Sequence, residues 1–543
     1  MTGATGQQTW LYRSNWLKLS LILLLGLGLF FRLAHLQHKI YWHDEVETSR
    51  RIAGYPKEEF IQQVFNGTEI GVADLQKYQR LTPEKGVIDT VRCLAVEAPV
   101  HPPLYYVLAR FWAEVFGDSV LAMRTLPALI SLIVLPATYL LGWELFNSPL
   151  AGWVAMAVIS VSPFHVLYAQ EVRQYSLFTA LILLSSLSLL QAMRLTRKWR
   201  WGLYALSVGL GLYTHTWFAL VVLAHFIYIA GTQWKTFDIR AWVFPKVWIN
   251  YLIATFCGLL SFAPWGLILI TQRTEVRGNT SWLSATISFF KLLKFWLLGL
   301  TFPFFDTDGS VIYRVSEGSD SLLTYIIRLP IIALIVYSLY FLIKASPSRV
   351  WLFVLSLIGV IVLGFVIPDL VFGGIKSTVP RYLIPCYLGL QFAVTYFISA
   401  QMLSGKANIK EIGQFLLVGL LSIELLSCTI SFQAQAWWNK PASFDNLQVA
   451  HILNRSEQPL IISDSHDFNP SNTISISYLV KPNTRFLLVE NPQQLTMPNS
   501  ARDIFLLNPS PALRSSLQNE MDYKIIPVYK RNESRELSRL EKS

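Results

Sequence analysis

Residues 150–195 read LAGWVAMAVISVSPFHVLYAQEVRQYSLFTALILLSSLSLLQAMRL. Two apolar runs, each roughly twenty residues and so long enough to cross a ~30 Å hydrocarbon core as a helix, flank a short polar turn, Gln170-Glu171-Val172-Arg173-Gln174. This predicts a membrane hairpin. The same pattern of apolar run and short polar break continues in both directions along the 543 residues. Hydrophobic residues make up 53% and charged residues only 15%, against about 25% charged in soluble domains. Mean hydropathy is +0.42. The chain therefore reads as an all-α polytopic membrane protein rather than a large soluble core.

About eleven spans are expected, within a range of 11–13. They lie near residues 17–36, 121–144, 150–168, 174–195, 201–216, 217–232, 247–270, 321–343, 350–371, 382–403 and 412–432. The apolar stretch 286–301 carries Lys291 and Lys294 and suits either a crossing or an interfacial position. The first run follows Arg13 and Lys18 like a signal peptide, but no small-residue cleavage site follows it, so it reads as an uncleaved span. With residues 1–16 placed inside, the inner loops include Arg197-Lys198-Trp199-Arg200, segment 233–246 with Lys235, Arg240 and Lys246, Lys344 to Arg349, and Lys406 to Lys410. These are basic, as the positive-inside rule requires, and Trp143, Trp199, Trp201, Trp234 and Trp351 gather at span ends.

The net charge of +11 is largely spent on those loops. No basic stripe is interleaved with base-stacking aromatics, which argues against a nucleic-acid partner. Cys93, Cys257, Cys386 and Cys428 are far apart and show no metal-ligand or disulfide spacing.

This topology puts a first loop (about 37–120), a tight turn (169–173), a loop at 271–320 and everything beyond about 433 outside. The domains expected are a cytoplasmic N-terminus (1–16), a transmembrane domain (17–432) and a small extracytoplasmic α/β domain (433–543). In the last, Leu460-Ile461-Ile462, Thr473 to Val480, Arg485 to Val489, Asp503 to Leu507 and Lys524 to Tyr529 read as β-rich runs. It lacks a phosphate-binding glycine motif, which suggests an accessory role.

Chemistry-bearing residues cluster at the outer ends of the spans. The first loop opens with Tyr41-Trp42-His43-Asp44-Glu45-Val46-Glu47. Adjacent carboxylates at a bilayer edge are costly unless water, a metal or a cation is near, although acidic residues also suit a helix N-terminus. The same loop ends in Glu97-Ala98-Pro99-Val100-His101-Pro102-Pro103-Leu104-Tyr105-Tyr106, where the prolines stiffen the approach of His101. Taken alone, this segment is equally a simple turn. The third cluster is Glu171, Arg173 and Tyr175, for which a wet loop is the plain alternative. The fourth is Pro380-Arg381-Tyr382, where Arg381 suits a lipid phosphate but also an ordinary interfacial anchor. His215 and Arg328 also lie near outer span ends; packing accounts for the first as well as ligation does, and snorkelling for the second.

Together these residues resemble the GT-C membrane glycosyltransferases, specifically glycosyltransferase family 39, which includes dolichyl-phosphate-mannose–protein mannosyltransferases and bacterial aminoarabinose transferases. Asp44-Glu45 after the first span is similar to the family's acidic pair. His101-Pro102-Pro103-Leu104-Tyr105-Tyr106 is similar to its (H/K)PP-L-Y segment. Ser162-Pro163 through Gln170-Glu171-Val172-Arg173-Gln174-Tyr175 resembles the "SP…QE-R-Y" turn of a bacterial branch, and Pro380-Arg381-Tyr382 adds a weaker match. The resemblance covers roughly residues 15–400.

It implies a polyprenyl-phosphate sugar donor drawn from the membrane lipid, and inverting transfer to an acceptor hydroxyl at the outer face of the plasma (inner) membrane, with Asp44 as catalytic base. Glu45, His101, Tyr105, Glu171, Arg173, Tyr175, His215, Arg381 and Tyr382 are the candidate substrate-binding residues. A divalent metal, Mg or Mn, is left open, with Asp44, Glu171 and His101 as its candidate ligands. The acceptor is a glycan, lipid or protein that the sequence does not identify. Relatives often carry Asp where this chain has Glu171, and the C-terminal domain does not look like the sugar-binding repeats of eukaryotic protein mannosyltransferases. A transporter or flippase for lipid-linked glycans, and a non-catalytic assembly subunit, are the alternatives; a transporter would place its polar residues near the bilayer midplane.

Overall fold

Every one of the eleven apolar segments falls on a helix in the computed structural model, which describes residues 15–195, 197–233, 245–497, 503–532 and 535–542. By length and composition, five of the described helices suit a crossing: Val120–Phe146, Tyr175–Arg194, Leu323–Ala345, Ser348–Phe372 and Ala407–Gln433. Three bent pairs bring the number to eight if each pair is one span, while Leu19–Leu33 and Phe218–Gln233 are shorter apolar helices. Fewer helices meet that measure than the eleven expected; two apolar runs are broken just before Pro163 and Pro264. The long helices turn large apolar side chains outward, among them Ile22, Phe256, Ile270, Phe415 and Val418. In water such surface would drive association; in lipid it is the expected exterior. The basic segment with Lys235 and Arg240, Trp234 and residues 1–14 of the N-terminus lie outside the described residues.

The chain divides into two compact units. The first holds residues 1–36, 98–105 and 124–433; the second holds 37–97, 106–123 and 434–543. This differs from a transmembrane domain that includes the first loop and a separate C-terminal domain. The reason is hydrogen bonding: the first loop supplies a strand to the C-terminal sheet.

In the first unit, helices Pro149–Ser160 and Pro163–Ala169 meet at a bend of 59°. Pro163 lacks the N–H needed to continue the backbone ladder, and the buried guanidinium of Arg32 takes over. It donates to the carbonyls of Ser160 and of Ile159 (3.0 Å) and to Gly28 O (2.9 Å). On the far side of the break, Ser162 donates to Pro303 O at 2.6 Å, and Gln391 spans Ser162 (3.2 Å) and His165 (3.0 Å).

The second unit is built on a six-stranded sheet: β1 (Asn66–Gly71), β2 (Pro459–Asp464), β3 (Arg485–Val489), β4 (Asp503–Leu507), β5 (Tyr523–Asn532) and β6 (Arg535–Lys542), in the order β1-β3-β2-β4-β6-β5. The central β2 pairs in parallel with β3 and β4, and the outer pairings are antiparallel. Burial on both faces explains the continuous apolar runs of the middle strands, which pack Leu460, Ile462, Leu487, Val489 and Leu506 into one core. The run Thr473 to Val480 is not a strand. Residues Asn469–Ser477 form a helix with Pro470 in its first turn, and all nine are buried. Tertiary burial here overrides the β preference of Thr and Ile.

Candidate active site

The acidic motif lies on helix His43–Ala53 in the second unit. The chain enters it extended at Trp42, and the His43 N–H donates to Ser443 Oγ at 3.0 Å. Asp44 is half-buried in the first turn, and its carbonyl accepts from Thr48 Oγ1 at 2.7 Å. The helix ends at Gly54, whose φ of 84° is the left-handed conformation that favours glycine.

Glu45 has a different fate from Asp44. Its carboxylate is fully buried and paired at 3.0 Å with Lys440 Nζ, which is itself buried and lies 5.5 Å from the Trp42 ring. Glu47 accepts from Ser471 Oγ at 2.5 Å and from Arg50 and Arg51, and both arginines also bind Glu97 at 2.7 Å. Burial alone raises the Glu47 pKa, but Arg50 and Arg51 outweigh it and hold the carboxyl well below the usual carboxylate range. Glu97 is lowered by the same balance. Burial lowers the pKa of His43 against the pull of Asp44 and Glu47, which favours a neutral imidazole beside the candidate base.

The other candidates fall in the first unit. The segment 98–103 is a turn in which the His101 N–H donates to Ala98 O at 2.9 Å. Trp265 Nε1 donates to Pro99 O at 3.0 Å, and Tyr105 is fully buried.

Three distant stretches converge in this unit. The turn 170–175 is buried throughout rather than wet. Arg173 lies 5.7 Å from the Tyr175 ring, and Tyr175 lies 5.1 Å from Tyr168 and 6.2 Å from His215. His215 lies 6.0 Å from Tyr382, and Arg381 rests against the rings of Tyr382 and Trp282 at 5.5 and 5.8 Å. Arg173 and Arg381 are both within electrostatic reach of His215; Glu171 and Arg381 are within reach of Tyr168. The Trp217 N–H donates to His215 Nδ1 at 3.2 Å, which in the neutral ring puts the proton on Nε2. Two buried or half-buried guanidiniums with one carboxylate make a cluster suited to an anion. Tyr168 and Tyr175 also line a small cavity with Arg32, Val134, Phe164 and His165.

Glu171, Arg173, Tyr175, His215, Arg381 and Tyr382 therefore come together, whereas Asp44 and Glu45 belong to the other unit. Among the described residues, no group of three or more His, Cys, Asp or Glu is gathered as a metal site. Sequence reasoning missed Lys440, the Arg50–Arg51–Glu97 lattice and the capping role of Arg32. Their partners are up to 395 residues apart, and no local pattern encodes such pairs.

Residues 100–271 match the family model described as dolichyl-phosphate-mannose-protein mannosyltransferase. In sequence, no curated protein matches the chain. In structure, it is similar to ArnT from Cupriavidus metallidurans bound to undecaprenyl phosphate, at 12% identity and a TM-score of 0.50, over 99% of this chain and 98% of that one. The apo state of the same ArnT gives 10% identity and a TM-score of 0.51, over 95% and 97%. The resemblance to the GT-C glycosyltransferases is borne out, by the family model over residues 100–271 and by an ArnT-like fold over 99% of the chain.

Proposed function

We propose that this protein is an inverting glycosyltransferase that moves a sugar from a polyprenyl-phosphate donor to an acceptor hydroxyl at the outer face of the plasma membrane. The observation that carries this reading is the meeting of Arg173, Arg381 and His215 in one cluster of an ArnT-like fold. ArnT itself is described with undecaprenyl phosphate bound, and a cationic cluster in the membrane unit suits such a lipid here. An outer position for the acidic helix and the sheet follows from the basic loops expected inside.

Arg381 and Arg173 hold the lipid phosphate and offset the charge that grows on it as the glycosidic bond breaks. His215 supplies its Nε2–H, and Glu171 fixes the guanidiniums or an incoming hydroxyl. Asp44 takes the acceptor proton as the hydroxyl attacks the anomeric carbon from the face opposite the phosphate. The attacking C–O bond forms, the C–O bond to phosphate breaks, and polyprenyl phosphate leaves. Glu45 does not share this work, since its carboxylate is sequestered by Lys440. His101 and Tyr105 belong to the same unit as the arginine cluster.

The test is Asp44→Asn. General-base removal costs about 10²–10⁴ in turnover, with thermal stability and binding of undecaprenyl phosphate retained. Turnover within tenfold of the parent removes Asp44 from the base role; failure of the parent protein to bind undecaprenyl phosphate removes the donor assignment.

A further inference from the structure

Gln174 stands in the same turn as Glu171 and Arg173, immediately before helix Tyr175–Arg194. It is 1% exposed, yet among the described residues neither its Nε2 nor its Oε1 meets a hydrogen-bond partner. An amide carries two donors and two acceptor lone pairs, and buried amides in folded proteins are nearly always bonded because leaving them empty is costly.

The direction of the side chain follows from the helix. The Phe178 N–H donates to Gln174 O at 2.8 Å, so the two residues are one turn apart and share a face. On that face the Phe178 ring stacks on His215, with centroids 4.8 Å apart and planes at 28°. His215 is within electrostatic reach of both Arg173 and Arg381. Gln174 is therefore one helical turn from the ring that stacks on His215, and is a neutral group adjacent in sequence to Arg173.

Which ligand atom satisfies it is a matter of chemistry. A phosphate accepts from Nε2 but repels Oε1, and the arginines already provide for it. A hydroxyl both gives and takes. A sugar ring with neighbouring hydroxyls fills both ends of the amide at once. We infer that Gln174 reads the sugar of the lipid-linked donor, hydrogen-bonding the hydroxyls of a neutral hexose or pentose ring while the arginines hold its phosphate. This rests on the donor class proposed above.

The experiment compares the affinity of bare undecaprenyl phosphate with that of undecaprenyl phosphate carrying mannose, glucose, galactose or arabinose, for the full chain in detergent and for Gln174→Leu. The parent binds one of the sugar-bearing lipids at least tenfold more tightly than the bare lipid. Gln174→Leu loses that gain, binds the bare lipid within twofold of the parent, and melts at the same or a higher temperature, because an apolar group replaces an unbonded amide. The inference is overturned if the sugar gain is absent in the parent, survives in Gln174→Leu, or disappears together with bare-lipid binding and thermal stability, the last being the mark of a structural residue. If the parent binds no undecaprenyl phosphate, the donor assignment falls and takes this inference with it.

Discussion

Asp44 and Glu45 are neighbours in sequence and opposites in role. Asp44 is half-buried in the first turn of its helix, while Glu45 is closed off by Lys440. An isolated carboxylate is expensive to bury, and breaking one side of a buried pair costs about 3–5 kcal/mol. Lys440→Met is therefore expected to lower the melting temperature markedly, and Lys440→Met combined with Glu45→Gln to recover most of the loss. Equal melting temperatures for the single and double variants would mean that Lys440 acts on something other than Glu45. Glu47 and Glu97 give a second residue-scale expectation, with a sign set by their lowered pKa values. A carboxyl lowered in the folded state contributes stability that is present above its unfolded value, about 4.3 for Glu, and is lost as pH falls through the folded value. Stability is then flat from pH 7 to about 5 and declines below about pH 4. Glu97→Gln flattens that acid limb in a series of melting temperatures against pH.

At the scale of elements, the break between Pro149–Ser160 and Pro163–Ala169 positions the turn that carries Glu171, Arg173 and Gln174. A broken helix within a bilayer is tolerated only where its freed carbonyls find donors, and Arg32 donates to Ile159 and Ser160. Arg32→Met strips those bonds, each unsatisfied group costing about 1–3 kcal/mol. The expected result is a lower melting temperature together with weaker binding of undecaprenyl phosphate. Arg32→Lys rescues only part, because an ammonium lacks the planar fork that bridges neighbouring carbonyls. Unchanged lipid affinity in Arg32→Met would separate the bend from the cluster. The run 150–168 reads in sequence as one span, so the break was not legible there, nor was its cap, since nothing near Arg32 in sequence points to residue 160.

For the whole molecule, the second unit is assembled from both ends of the chain. Strand β1, from the first loop, pairs with β3 some 400 residues later; Ile70 lies opposite Phe486. The acidic helix leans on Ser443, Lys440 and Ser471 from the C-terminal part. The domain read as accessory is thus the scaffold of the helix that bears Asp44. Removing residues 434–543 is expected to abolish transfer and to open residues 37–97 to limited proteolysis, while residues 124–433 stay protected. Protection of 37–97 in the truncated protein would show that the first loop folds without its sheet.

The sequence alone determined the helical segments and the four strands Leu460-Ile461-Ile462, Arg485 to Val489, Asp503 to Leu507 and Lys524 to Tyr529, and it singled out the polar motifs at helix ends. Those signals are local: apolar run length, β-rich patterning and short polar motifs at helix ends. Only the tertiary structure decided that Thr473 to Ser477 is helical, that the first loop joins the last domain, that Lys440 claims Glu45, and that Gln174 is buried with its amide open. Each of these depends on contacts between residues distant in the chain, where long-range burial and pairing outweigh local preference.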